Sequence, residues 1–152
     1  MQYNNTSQPN KSLYDRDFYA WTQEQAQLIK AKRFTELDID NLFEEVEDMG
    51  NRHADGVESR MEVLLMHLLK WKYQAKLRSN SWLGTIEEQR FRIKKQLKKM
   101  PSLKSKFDEM FIEAYEDAVY EAAKETKLPA KTFPKICEWT LKQMLDDDFL
   151  PN

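Results

Sequence analysis

Cysteine, glycine, proline and histidine are all scarce in this chain, and each shortage removes a class of architecture or chemistry. One cysteine, Cys137, rules out an internal disulfide framework and any zinc site built from several thiolates. A lone thiol also suits a reducing compartment, so a cytoplasmic location is expected. Three glycines and five prolines are too few for the many tight turns of a β-sandwich. Two histidines, His53 and His67, cannot supply a multi-histidine metal centre, and neither sits in a Glu-x-x-His or His-Glu-x-x-His pattern. No run approaches the roughly 18 apolar residues of a membrane span. The opening MQYNNTSQPNKS carries no apolar stretch of a signal peptide and reads as a flexible tail over residues 1–12.

What remains is a helix-forming sequence of 152 residues, enough to bury a core. With 41% hydrophobic and 33% charged residues it is neither a disordered chain nor a membrane protein. Apolar residues recur at spacings of three and four, with no alternating run bounded by turn residues. The expected fold is all-α: a single helical bundle of five or six helices over residues 13–152.

The stripes can be followed one by one. Asp15 or Asp17 caps a first helix bearing Phe18, Trp21, Gln25, Leu28 and Ile29. Asp38 caps a second, with Leu42, Phe43, Val46 and Met49 expected inward, and Gly50 and Gly56 bracket a break. From Val57 a long helix carries Met61, Leu64, Leu68 and Trp71. Ser81 opens a fourth with Ile86, Arg90, Ile93 and Leu97. Ser102 caps a fifth with Phe107, Met110, Ala114, Ala118 and Ala122. A short sixth helix follows at about 139–145, and the closing DDDFLP reads as a strip docked on the body.

Net charge is −2, but it is unevenly placed. From Lys70 to Lys106 the only acids are Glu87 and Glu88, while Asp38–Asp48, Asp108–Glu125 and Asp146–Asp148 are acidic. Charges that offset each other over a helical surface are the preferred reading. A patch of Lys94, Lys95, Lys98, Lys99 and Lys104 for nucleic acid is the alternative, and the acidic flanks would make such binding weak at physiological salt.

Seven residues stand out as binding candidates: Glu45, Asp48, His67, Trp71, Arg78, Trp82 and Arg90. Glu45 and Asp48 share a helix face. His67 interrupts an apolar run, so it is a core-edge histidine bonded to a carboxylate or carbonyl, or else a general base or single metal ligand. Arg90 falls on an apolar stripe and demands an acidic partner, with Glu45 or Asp117 as candidates; the other reading is an anion cleft of Arg78, Arg90 and His67 walled by Trp71 and Trp82. No metal or cofactor is expected from this set.

Taken together, LYDRDFYAW, LFEEVEDMG, LLMHLLKWKYQ, RSNSWLGTIEEQRFRI, AYEDAVYEAAKET and FPKICEWTLKQMLDDDFLP resemble the bacterial family catalogued as domain of unknown function twenty-nine. The likeness runs from Leu13 to Pro151. It departs at Glu138, where the family often places proline after the cysteine. The resemblance implies a small all-helical protein and supplies no catalytic residue. The reading that follows is a cytoplasmic adaptor or regulatory protein acting through contact with a protein partner or a second copy. A nucleic-acid accessory protein and an enzyme with a His67–carboxylate site are the alternatives.

Overall fold

A computed structural model describes residues 12–152. The tail expected over residues 1–12 lies, but for Ser12, outside them. The described residues are all-α: six helices joined by short 3-10 turns, with no strand among them. They are α1 (Leu13–Arg16), α2 (Phe18–Lys30), α3 (Ile39–Tyr73), α4 (Asn80–Lys99), α5 (Phe107–Thr126) and α6 (Leu141–Leu145). The contacts gather into two compact units, the first ending at Asn51 and the second spanning Arg52–Asn152, where the sequence suggested one bundle.

Capping sets most boundaries. Ser12 caps α1, and Asp17 caps α2 by accepting the Ala20 N–H at 2.9 Å. Asp38 stands before α3 and accepts from the backbone and side chain of Asn41, the latter at 2.8 Å. Ser79, rather than Ser81, caps α4. Pro101 opens a 3-10 segment to Lys106, so α5 begins at Phe107 and not beside Ser102. Thr140 and Gln143 form a reciprocal capping box that holds α6 despite its five residues. Lys127 ends α5 in the left-handed conformation, with φ at 61°.

The largest departure from the sequence reading is α3. No break occurs at Gly50 or Gly56; one helix of 35 residues runs through both. Each glycine costs a helix interior about 1 kcal/mol relative to alanine, which is too little to stop it. Proline would stop it, and none lies between Pro9 and Pro101.

Among the described residues of the first unit little is buried: Trp21 and Gln25 alone. The rings of Tyr14, Phe18 and Trp21 meet at centroid distances of 4.9–5.7 Å. Polar bonds hold this group to the start of α3. Trp21 Nε1 donates to Asp38 at 2.9 Å, Gln25 Oε1 accepts the Asp38 N–H at 2.8 Å, and the Tyr14 hydroxyl donates to Glu45 at 2.7 Å.

The second unit contains the main core. Val57, Met61, Leu64, Leu65, Leu68 and Leu69 of α3 join Ile86 and Ile93 of α4 in it. From α5 come Phe107, Met110, Ala114, Ala118 and Ala122, with the alanines allowing close packing. Phe133, Trp139 and Met144 close it.

At 100° per residue, Ile39, Phe43, Val46, Gly50, Val57, Met61, Leu64 and Leu68 share one sector of α3 about 60° wide. Val57, Met61, Leu64 and Leu68 are fully buried, whereas Ile39, Phe43 and Val46 are 59%, 64% and 61% exposed. The expectation that Phe43, Val46 and Met49 face inward is therefore corrected: the first unit leaves them bare.

The glycines yield a direct prediction. A Cβ added at Gly50, Gly56 or Gly84 would meet nothing within 4 Å, and none of the three has positive φ. Alanine at each should therefore stabilise its helix by about 0.5–1 kcal/mol. Urea melts check this, and a lowered midpoint would mean that the site is tighter than described.

Candidate functional site

Arg90 is the most deeply buried of the seven candidates, at 1% exposure. It sits one turn from Ile86 and from Ile93, both fully buried, so α4 delivers the guanidinium into the core. Burial pushes its pKa down, while the charges of Asp147, Asp146 and Glu87 push it up. The expected ion pair with Glu45 or Asp117 is replaced by another arrangement. Nε donates to the Met144 carbonyl and Nη2 to the Phe149 carbonyl, both at 2.8 Å. Met144 lies in the last turn of α6, where carbonyls have no partner within the helix and a cation is favourable.

Arg78 acts on the next residues of the same segment. Its Nη2 reaches the Pro151 carbonyl at 3.5 Å and its Nε donates to the Trp71 carbonyl at 2.8 Å, near the end of α3. Its guanidinium also lies 5.0 Å from the Trp71 ring centroid. Lys94 pairs with Asp147 at 2.8 Å. Phe149 meets Trp139 edge-on at 6.1 Å, and Pro151 is buried. Three basic side chains thus fasten the closing DDDFLP strip. Where the sequence offered an anion cleft of Arg78, Arg90 and His67, each guanidinium directs two of its donors, and His67 its Nδ1–H, to backbone carbonyls.

Trp82 and His67 are also engaged locally. Lys70, buried to 9% exposure, lies 4.6 Å from the Trp82 ring centroid and pairs with Glu125 of α5 at 2.6 Å. Lys72 pairs with Glu138. His67 Nδ1 is 2.8 Å from the Val63 carbonyl one turn back, so that nitrogen carries the proton and donates. Burial lowers the His67 pKa, with the Lys70 charge acting in the same direction and the Val63 bond and Glu125 charge opposing. Glu45 accepts from Tyr14 in the first unit, where Asp48 also stands; that bond pushes the Tyr14 hydroxyl up to about 12.

Features that the sequence reading did not single out appear elsewhere. Glu58 and Glu62 of α3 face Glu113, Asp117 and Glu121 of α5, and Asp55 adds its charge beside Glu58 on α3. Burial is the main cause that raises the pKa of Glu58 and of Glu62, followed by the facing carboxylates. Their spacing of three and four was legible, but which two helices would meet was not. A groove of about 590 Å³ is lined by Tyr115, Val119, Phe133, Pro134 and Lys135. An adjoining hollow reaches Ile136 and Cys137, whose thiol burial pushes up to about 11. Lys94, Lys98 and Lys104 line a shallow hollow of about 280 Å³ beside Leu97 and Pro101. Among the described residues, no three His, Cys, Asp or Glu side chains are placed to hold a metal ion, and no helix is long and apolar enough to cross a membrane.

Residues 13–150 match the family described as Domain of unknown function DUF29. The chain belongs to that family. No curated protein and no solved structure matches it. Across this DUF29 chain the motif residues Trp71, Arg78, Arg90, Phe149 and Pro151 meet in one structural clasp.

Two predictions follow from these geometries. Arg90→Ala should cost about 3 kcal/mol, because two carbonyls lose charge-assisted donors and a void remains. Deleting residues 149–152 removes one of the same bonds, so the two changes combined should cost less than their sum. Urea melts of the single and double variants measure this; additive losses would show that Arg90 and the strip act independently.

Glu58 and Glu62 bear on pH. A carboxyl whose pKa is raised by folding favours the fold below its ordinary value near 4.5, and that contribution is lost as pH rises through the raised value. Near neutral pH both charges therefore oppose folding, by less than about 1 kcal/mol after solvent screening. Glu58→Gln and Glu62→Gln should raise the melting temperature at neutral pH and lose that advantage below about pH 4. A pH-independent difference would contradict the facing-carboxylate account.

Proposed function

We propose that this protein is a cytoplasmic adaptor or regulatory protein that works by protein–protein contact through the apolar face of its first unit. The observation that carries the reading is the exposure of Ile39, Phe43 and Val46 on one helical stripe. Phe34 and Met49 of the same unit are exposed as well. Phe18, Tyr19 and Ile29 add further exposed apolar side chains to α2. Scattered surface hydrophobics are ordinary, but a contiguous stripe at spacings of four and three is the form taken by helix-docking faces. Arg78, Arg90 and His67 are meanwhile bonded to backbone carbonyls, which supports contact over catalysis.

The test is a photo-crosslinking residue, benzoylphenylalanine, placed at Phe43 in the full chain and activated in cells that make the protein. A discrete higher-mass adduct should form at Phe43 and vanish when Val46→Asp is added. The same probe at Tyr120, equally exposed on α5, should give none. Indistinguishable patterns at the two positions would refute a contact role for the first unit.

A further inference from the structure

We infer that the bare stripe of α3 receives a basic amphipathic helix from another protein. The inference rests on the contact reading above and adds the chemistry of the partner. Ile39, Phe43 and Val46 lie at i, i+4 and i+7, the spacing by which one helix packs along another. Gly50 is the next residue on that stripe, and a Cβ there would meet nothing within 4 Å. A second helix can therefore approach closely at that end.

Charge selects the occupant. From Phe34 to Asn51 the chain carries Glu36, Asp38, Asp40, Glu44, Glu45, Glu47 and Asp48, and no lysine or arginine. Helical geometry puts Asp40 and Glu47 along one border of the stripe, and the apolar Leu42 and Met49 along the other. Asp40, Glu44 and Glu47 are exposed. Two copies meeting face to face through this stripe would set acid against acid, which costs affinity. Nucleic acid and anionic lipid are repelled for the same reason. A helix with an apolar stripe flanked by lysine or arginine satisfies both the bare side chains and the acidic rim. Electrostatic attraction would speed the encounter, while the apolar anchors would set the lifetime of the complex.

The experiment uses the full chain and two labelled synthetic peptides of about 18 residues, long enough to form a helix on docking. One has leucines at helical spacing with lysines elsewhere; the other keeps the leucines and replaces lysine by glutamate. Fluorescence anisotropy near 150 mM salt, where screening acts over about 8 Å, reads affinity. The lysine peptide should bind saturably and at least about tenfold more tightly than the glutamate peptide. Phe43→Ser with Val46→Ser should weaken it at least about tenfold, whereas Phe91→Ser on the basic helix α4 should leave it unchanged. Asp40→Lys with Glu47→Lys should reverse the preference between peptides, which no loss of folding could do. Equal affinity for the two peptides, or binding indifferent to Phe43 and Val46, overturns the inference. A free chain that sediments as a dimer and is dissociated by Phe43→Ser with Val46→Ser names a second copy as the occupant. That result overturns the basic-helix inference yet keeps the contact reading. Loss of the Phe43 crosslink would instead remove the contact reading itself.

Discussion

A guanidinium taken out of water must have its donors met, and how the Arg90 donors are met organises much of the second unit. The charge cannot be shed, because arginine stays protonated even when burial lowers its pKa. An unpaired buried charge is too costly to persist. The carbonyls of Met144 and Phe149 meet it, and both belong to the last residues of the chain. That choice ties α4 to α6 and to the strip beyond it. Asp146, Asp147 and Glu87 supply countercharge without a direct pair, so one group serves as a backbone clamp and a centre of local neutrality.

The same logic extends along the basic half of the sequence. Arg78 holds carbonyls at the end of α3 and at Pro151, Lys94 takes Asp147, and Lys70 bridges Trp82 and Glu125. The uneven charge distribution is thereby put to structural use: basic side chains between acidic segments stitch late parts of the chain onto α3 and α4. Exposed pairs add little individually, since solvent screens them. The buried donors to carbonyls matter more, because removing one strands an acceptor away from water. In the first unit the balance differs. Aromatic contacts and bonds to Asp38 and Glu45 order it, and its α3 stripe is left uncovered. Elements with few buried apolar contacts are those most readily remodelled by a partner.

Helix content, the inward position of Arg90 and the docking of Phe149 and Leu150 were legible because each follows from local spacing or from the cost of burying charge. The unbroken passage of α3 through Gly50 and Gly56 was not. A glycine signal is weak, and here it competes with good helix formers on both sides. The partners of Arg90 were also illegible, since a sequence shows carboxylates but hides which carbonyls are left unpaired at a helix end. Phe43 and Val46 were misplaced for a related reason. Periodicity identifies an apolar face, but whether anything covers that face depends on the packing of distant segments. The facing carboxylates of α3 and α5 escaped notice on the same ground, because each helix alone looks like an ordinary solvated surface.

The central claim is that the Arg90 guanidinium is sealed in the core and bonded to the closing strip. Hydrogen exchange at arginine side chains, followed by nitrogen-15 NMR on the intact protein, addresses it without altering any residue. Arg92, two positions along α4 and exposed, provides the internal reference. The account predicts that the Arg90 Nε–H exchanges more slowly than that of Arg92 by at least about two orders of magnitude, as expected for a donor released only by local unfolding. It further predicts a through-bond coupling from Arg90 Nε to the Met144 carbonyl carbon. Equal exchange rates at Arg90 and Arg92 would contradict it.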